Sequence, residues 1–141
     1  MKPTHGAGSA FVWPVRVYWE DTDAGGIVFY ANYLKFFERA RTEWLRSLGI
    51  EQRRLRESTG GMFVVGETSL RYLLPARLDD ELLVSARLEA AGRASLVVTQ
   101  QVKNKHSAAL LCEGSIRIGW VDATSLRPAR IPPIILESLK T

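Results

Sequence analysis

The sequence predicts an α+β domain in which a curved antiparallel sheet of five strands wraps one long helix. Three observations carry this. A single long stretch of helical periodicity lies between about Tyr30 or Asn32 and Leu48. Alternating apolar and polar residues occur once before it and four times after it. Short turns separate the later runs, which favours antiparallel neighbours.

The first strand is read from Val12 to Glu20, with Val15, Val17 and Trp19 on one side and Arg16, Tyr18 and Glu20 on the other. The turn formers "DTDAGG" follow, and Gly25 and Gly26 permit backbone angles and close approaches closed to other residues. In the helix, Tyr33, Phe36, Phe37, Ala40, Trp44 and Leu48 recur at helical spacing, with Leu34 and Leu45 widening the stripe and Gly49 as the stop. So apolar a helix must be largely wrapped, and a sheet covers only one of its faces. Self-association is therefore expected, with a dimer as the minimum.

Residues 51–59, "EQRRLREST", read as a charged connector or short exposed helix ending at Gly60 and Gly61. Four strands follow. Their inward residues are Thr68, Leu70 and Tyr72; then Leu82, Val84, Ala86 and Leu88; then Leu96, Val98 and Val102; then Cys112, Ile116, Ile118 and Trp120. The tail "RPARIPPIILESLKT" reads as a surface excursion with a short terminal helix and no catalytic role. One domain over 1–141 is expected, with residues 1–11 as a flexible leader and 127–141 as a C-terminal extension.

Composition narrows the function. Apolar residues are 46% and charged residues 24% of 141, proportions of a globular chain. The net charge of +4 is scattered and comes without a recognition-helix or ribonucleoprotein pattern, so an anionic small ligand is favoured over nucleic acid. No run has the length or apolarity of a signal peptide or a bilayer span, so a cytoplasmic protein without membrane insertion is expected. Cys112 is the only cysteine, which excludes an internal disulfide and a cysteine-rich metal site. His5 falls in the leader and His106 in a turn, and both read as solvated, so no metal is expected.

Asp21 and Asp23 stand just before the helix start. Turn-forming side chains bonded to nearby amides are the plainest account of such acids. The same position also offers free backbone amides and the positive end of the helix dipole, which can hold a substrate oxyanion. A carboxylate beside such donors has the two parts that acyl transfer needs. Gly25 and Gly26 then let a carbonyl substrate approach the backbone. Glu38, on the helix within two turns of the loop, is a reserve catalytic acid. No nucleophile elbow and no glycine-rich phosphate loop occurs.

The stretch "RVYWEDTDAGGIVFYANYLKFFERARTEWLR" resembles the signature of hotdog-fold acyl-CoA thioesterases, the 4-hydroxybenzoyl-CoA thioesterase superfamily, and within it the YbgC-type enzymes associated with the Tol-Pal envelope system. The likeness continues through "YLLPARLDDELLV" and "GRASLVVTQQV". It implies a hotdog fold, dimers and often tetramers, active sites at the dimer interface, and hydrolysis of acyl-CoA or acyl carrier protein thioesters without a cofactor. It places the catalytic carboxylate at Asp23, as nucleophile or base, and the oxyanion donor at the main-chain amide of Tyr30. Gly25, Gly26 and Ile27 would line the substrate, and Arg93 and Ser95 would hold CoA phosphates. Tyr30 departs from the histidine usual in YbgC-type chains and matches the tyrosine of the aryl-CoA enzyme. An aryl-CoA thioesterase is thus one rival. A largely non-catalytic binder of acyl carrier protein or of lipid-synthesis or envelope partners is another. A dehydratase is disfavoured, because no helix-borne acid pairs with a nearby histidine.

Overall fold

The computed structural model describes residues 10–140; the expected leader, with His5, lies outside them except for Ala10 and Phe11. The chain runs β1 (Phe11–Arg16), two short 3-10 turns (Trp19–Asp21 and Tyr30–Asn32), α1 (Tyr33–Ser47), α2 (Gln52–Thr59), β2 (Gly61–Tyr72), β3 (Glu81–Ala91), β4 (Ser95–Asn104), β5 (Leu110–Asp122) and α3 (Pro133–Leu139). All neighbouring strands are antiparallel, in the order β1-β3-β4-β5-β2. This is the expected architecture.

The alternating residues face as their phase requires. Leu82, Val84 and Ala86 of β3, Leu96, Val98 and Val102 of β4, and Cys112, Ile116, Ile118 and Trp120 of β5 are all buried. From α1 they receive Tyr33, Phe36, Phe37, Ala40, Trp44 and Leu45, the apolar stripe at helical spacing. Gly49, at φ 82°, ends the helix in the left-handed region that glycine tolerates best.

The core forms two clusters. One gathers around Tyr33, Phe36, Phe37, Val84, Val102 and Cys112. The other gathers around Trp44, Leu45, Leu96, Val98, Ile116 and Trp120. Between Val98 and Val102 sits Gln100, only 1% exposed. Its amide nitrogen donates to the Phe37 carbonyl at 3.0 Å and the Ser85 carbonyl at 3.1 Å, and its oxygen accepts from Arg41 Nη1 at 2.9 Å. Beside it the Gln101 N–H donates to Ser85 Oγ at 3.0 Å, so side chains take over part of the β3–β4 ladder there. A polar seam thus divides the apolar interior, fully satisfied as burial demands.

The α1 backbone runs closest to β3 and β1, while its side chains reach across β4 to β5. Its offset leaves a groove between α1 and strands β2 and β5.

Four expectations change. The first strand ends at Arg16, and Trp19 is 77% exposed, because the chain leaves the sheet at Tyr18, whose N–H is drawn to Asp21 Oδ2 at 2.9 Å. β2 starts at Gly61, six residues before its alternating stretch, and is bulged between Val65 and Glu67. Tyr72 of that stretch is exposed. The tail is anchored to the core: Ile131, Ile135 and Leu139 are buried, and the Ile131 N–H donates to the Arg93 carbonyl at 2.7 Å.

Candidate active site

The loop between β1 and α1 folds back on itself. Thr22 and Val28 form an antiparallel bridge, the Asp23 N–H donates to the Ile27 carbonyl at 2.9 Å, and the Gly26 N–H donates to the Asp23 carbonyl at 3.1 Å. Gly26 at φ 78° closes this tight turn.

The two acids separate by burial. Asp21 is 3% exposed and holds the loop together. Besides receiving the Tyr18 N–H on its carboxylate, it accepts the Phe29 N–H (3.0 Å) and Asn32 Nδ2 (2.9 Å) on its carbonyl. The loop is thereby tied to the start of α1. Asp23 is exposed, and its Oδ1 accepts the Gly25 N–H at 2.8 Å. The plain turn-forming geometry is therefore present, and it leaves Oδ2 of Asp23 unpaired among the described residues.

Tyr30 opens a 3-10 turn three residues ahead of α1. No oxygen among the described residues accepts its N–H. Such an unused donor at the positive end of a helix suits a developing oxyanion. Its carbonyl receives the Tyr72 hydroxyl at 3.1 Å, and its ring meets Phe29 and Tyr72 at centroid distances of 4.7 and 6.3 Å. Tyr33 extends this aromatic group; its buried hydroxyl accepts the Ala76 N–H at 3.0 Å, and burial raises its pKa, as it does for Tyr72. Ile27, Tyr30, Tyr33, Tyr72, Leu73 and Leu74 line a recess of about 340 Å³ beside the loop.

Asp23, Gly25, Gly26 and Ile27 share one tight turn, Ile27 and Tyr30 share the recess beside it, and the remaining candidates lie elsewhere. Arg93 and Ser95 lie at the far end of the sheet, where Ser95 pairs with Gly119. The ten residues of β4 separate them from the loop end by about 30 Å. Glu38 is exposed on the wall of the groove over β2 and β5, with Arg41 one turn further on. That groove has a volume of about 630 Å³ and a floor that includes Phe63, Val65, Ile116 and Ile118. Cys112 is fully buried, and loss of hydration pushes its thiol up to about 12, which suits an inert core residue. His106 is exposed in the β4–β5 turn, 3.7 Å from Glu81. Among the described residues no three His, Cys, Asp or Glu side chains converge to hold a metal ion. Among the described residues no helix is long and apolar enough to cross a membrane.

Sequence reasoning missed Asn32 as the clasp on Asp21, and it missed Gln100 with Arg41. Gln100 carries a readable signal: it interrupts the inward series Leu96, Val98, Val102 with an amide.

A sheet holding one long helix, with a carboxylate loop at that helix's start, defines the class of hotdog thioester hydrolases. The profile of the Thioesterase-like superfamily matches residues 17–139, and the chain belongs to that family. The chain is 42% identical to the acyl-CoA thioester hydrolase YbgC of Escherichia coli over 130 residues, which is 92% of this chain and 96% of that protein. It is 39% identical to the acyl-CoA thioesterase YbgC of Haemophilus influenzae, over 88% of this chain and 90% of that protein. A probable thioesterase from Bartonella henselae superposes with a TM-score of 0.82 at 28% identity, covering 88% of this chain and 100% of that one.

Proposed function

We propose that the protein hydrolyses acyl-CoA thioesters to free acid and CoA at the loop joining β1 to α1, without a cofactor. The observation that carries this is that one loop, clasped to the helix start by Asp21, carries both an exposed carboxylate, Asp23, and an unused N–H, that of Tyr30. The thioester oxygen takes the Tyr30 N–H, and charge that develops on it is stabilised there. Asp23 acts as nucleophile on the carbonyl carbon or as base toward water, and CoA leaves as the thiol. The names of the 42% and 39% identical relatives support acyl-CoA as the substrate class.

A second copy completes this reading. β2 is an edge strand of 12 residues, and Tyr30, Leu34, Tyr72, Leu73 and Leu74 expose apolar surface at the loop end of the molecule. A two-fold pairing of β2 edges puts the Arg93 and Ser95 end of one copy beside the Asp23 loop of the other, which unites the proposed phosphate-binding residues with the reaction centre. A dimer, or a tetramer built from dimers, in the cytoplasm is the proposed working form. Acyl carrier protein thioesters and a link to the Tol-Pal system belong to the same proposal, on the strength of the sequence resemblance.

The aromatic recess favours a second reading, in which the acyl group is aryl. A hydrolysis panel on the purified protein, spanning aliphatic and benzoyl-type CoA esters and the matching carrier-protein esters, tests both. Turnover of aliphatic esters supports the first, and a preference for benzoyl-type esters supports the second. Stable capture of carrier protein with no hydrolysis in any arm refutes both.

A further inference from the structure

The polar seam leaves one charge unbalanced. The Arg41 guanidinium is half-buried and bonds the neutral amide oxygen of Gln100. No carboxylate among the described residues lies within 4.0 Å of it. Burial lowers its pKa, and the charge of Glu38 opposes that only as the smaller influence. A cation drawn from water without an anion is costly unless something arrives to pair it. Leu34, Leu45, Val65 and Ile116 give the groove its apolar surface, and Glu38, Thr42, Gln52 and Thr68 are its other polar groups.

The helix sets the scale. Helical side chains lean toward the N-terminus, and Gln100 meets both Arg41 and the Phe37 carbonyl, so the guanidinium lies level with Phe37. From Tyr30 to that level is roughly 10–12 Å along the helix axis. Leu34, exposed at the head of the groove, is the surface that an acyl chain with its carbonyl at the Tyr30 N–H would cross to bring its far end to Arg41.

We propose that the groove receives acyl groups ending in a second carboxylate, and that Arg41, positioned by Gln100, is the residue that selects them. The inference rests on the thioesterase reading and adds a substrate class to it: mono-CoA esters of dicarboxylic acids. Arginine suits the task because its planar fork meets a carboxylate through two parallel hydrogen bonds.

The test uses length-matched pairs: adipoyl and hexanoyl, suberoyl and octanoyl, sebacoyl and decanoyl-CoA. For wild type, Arg41→Met and Arg41→Lys, kcat/KM is read for hydrolysis, and Kd is read by calorimetry in an Asp23→Asn background. In at least one pair the ratio of carboxylated to plain ester should fall about 30-fold in Arg41→Met and recover in part in Arg41→Lys. Equal ratios in wild type and Arg41→Met for all three pairs overturn the inference. So does an unchanged ratio with a loosened dimer, since an acid of the second copy would then hold the guanidinium. If no ester is hydrolysed, the thioesterase reading fails while the Kd ratios still judge Arg41. Should Arg41→Met not fold, Glu38→Gln decides: loss of that nearby negative charge should raise the ratio several-fold, and no change overturns the role of Arg41.

Discussion

The side-chain amide of Gln100 donates to the main-chain carbonyl of Phe37 at 3.0 Å, reaching from the middle of β4 to the second turn of α1. Because the same amide holds the Ser85 carbonyl and the Arg41 guanidinium, one residue links helix, two strands and the groove wall. Gln100→Leu therefore strands a buried carbonyl and a half-buried cation. It should cost about 2–4 kcal/mol, seen as a lower urea midpoint at unchanged slope. A midpoint within error of wild type would show the network to be dispensable.

Asp21 and Asp23 should part company on mutation. Asp21→Ala removes the buried acceptor for the Tyr18 N–H and should cost about 2–3 kcal/mol in stability. Asp23→Asn keeps shape and fold while turnover drops at least ~100-fold. Thermal melts and steady-state rates on both variants check this, and near-normal turnover in Asp23→Asn removes that carboxylate from the reaction.

Cys112 gives a pH prediction. Its thiol is held up to about 12 by burial, so in the folded state it stays protonated where the unfolded thiol, near 9, has ionised. Between those values the unfolded chain binds fewer protons. The stability from this group is complete below pH 9 and is lost toward pH 12, at up to about 1.4 kcal/mol per pH unit. Urea titrations from pH 8 to 10.5 should show that decline in wild type and a later, shallower one in Cys112→Ala, where the raised Tyr33 hydroxyl still contributes near the upper end. A thiol reagent at pH 8 should react only after unfolding.

Much of this fold was legible because burial follows phase. Alternation in β3, β4 and β5 and the stripe of α1 state directly which side faces inward. Met62, Phe63, Val64 and Val65 are apolar in succession and do not alternate; the first three are half-buried, Val65 is exposed and a bulge follows it, so the first half of β2 was silent. Trp19 read as inward because periodicity cannot foresee an acid two residues on capturing the Tyr18 N–H. In the site, residue types pointed to the loop. The division of labour between Asp21 and Asp23 depends on burial, and the remoteness of Arg93 depends on strand direction, so neither is visible in spacing.

Val65 tests the proposed partner contact. It is 53% exposed on the edge strand β2, and a lysine there should oppose strand addition. Sedimentation should show Val65→Lys shifted to monomer, with hydrolysis falling alongside. A dimer of unchanged strength would move the interface elsewhere.

The open margin of β2 also has a bearing on how this enzyme is made and kept. If two copies pair along β2 as proposed, a newly synthesised chain that has not met its mate offers a ribbon of 12 residues with unused amides and carbonyls to any extended peptide that passes. Abundance then governs more than the number of sites, because dilution withdraws the very surface that shelters the ribbon. Activity should climb more steeply than in proportion to protein amount, and scarce chains should be the ones lost to aggregation.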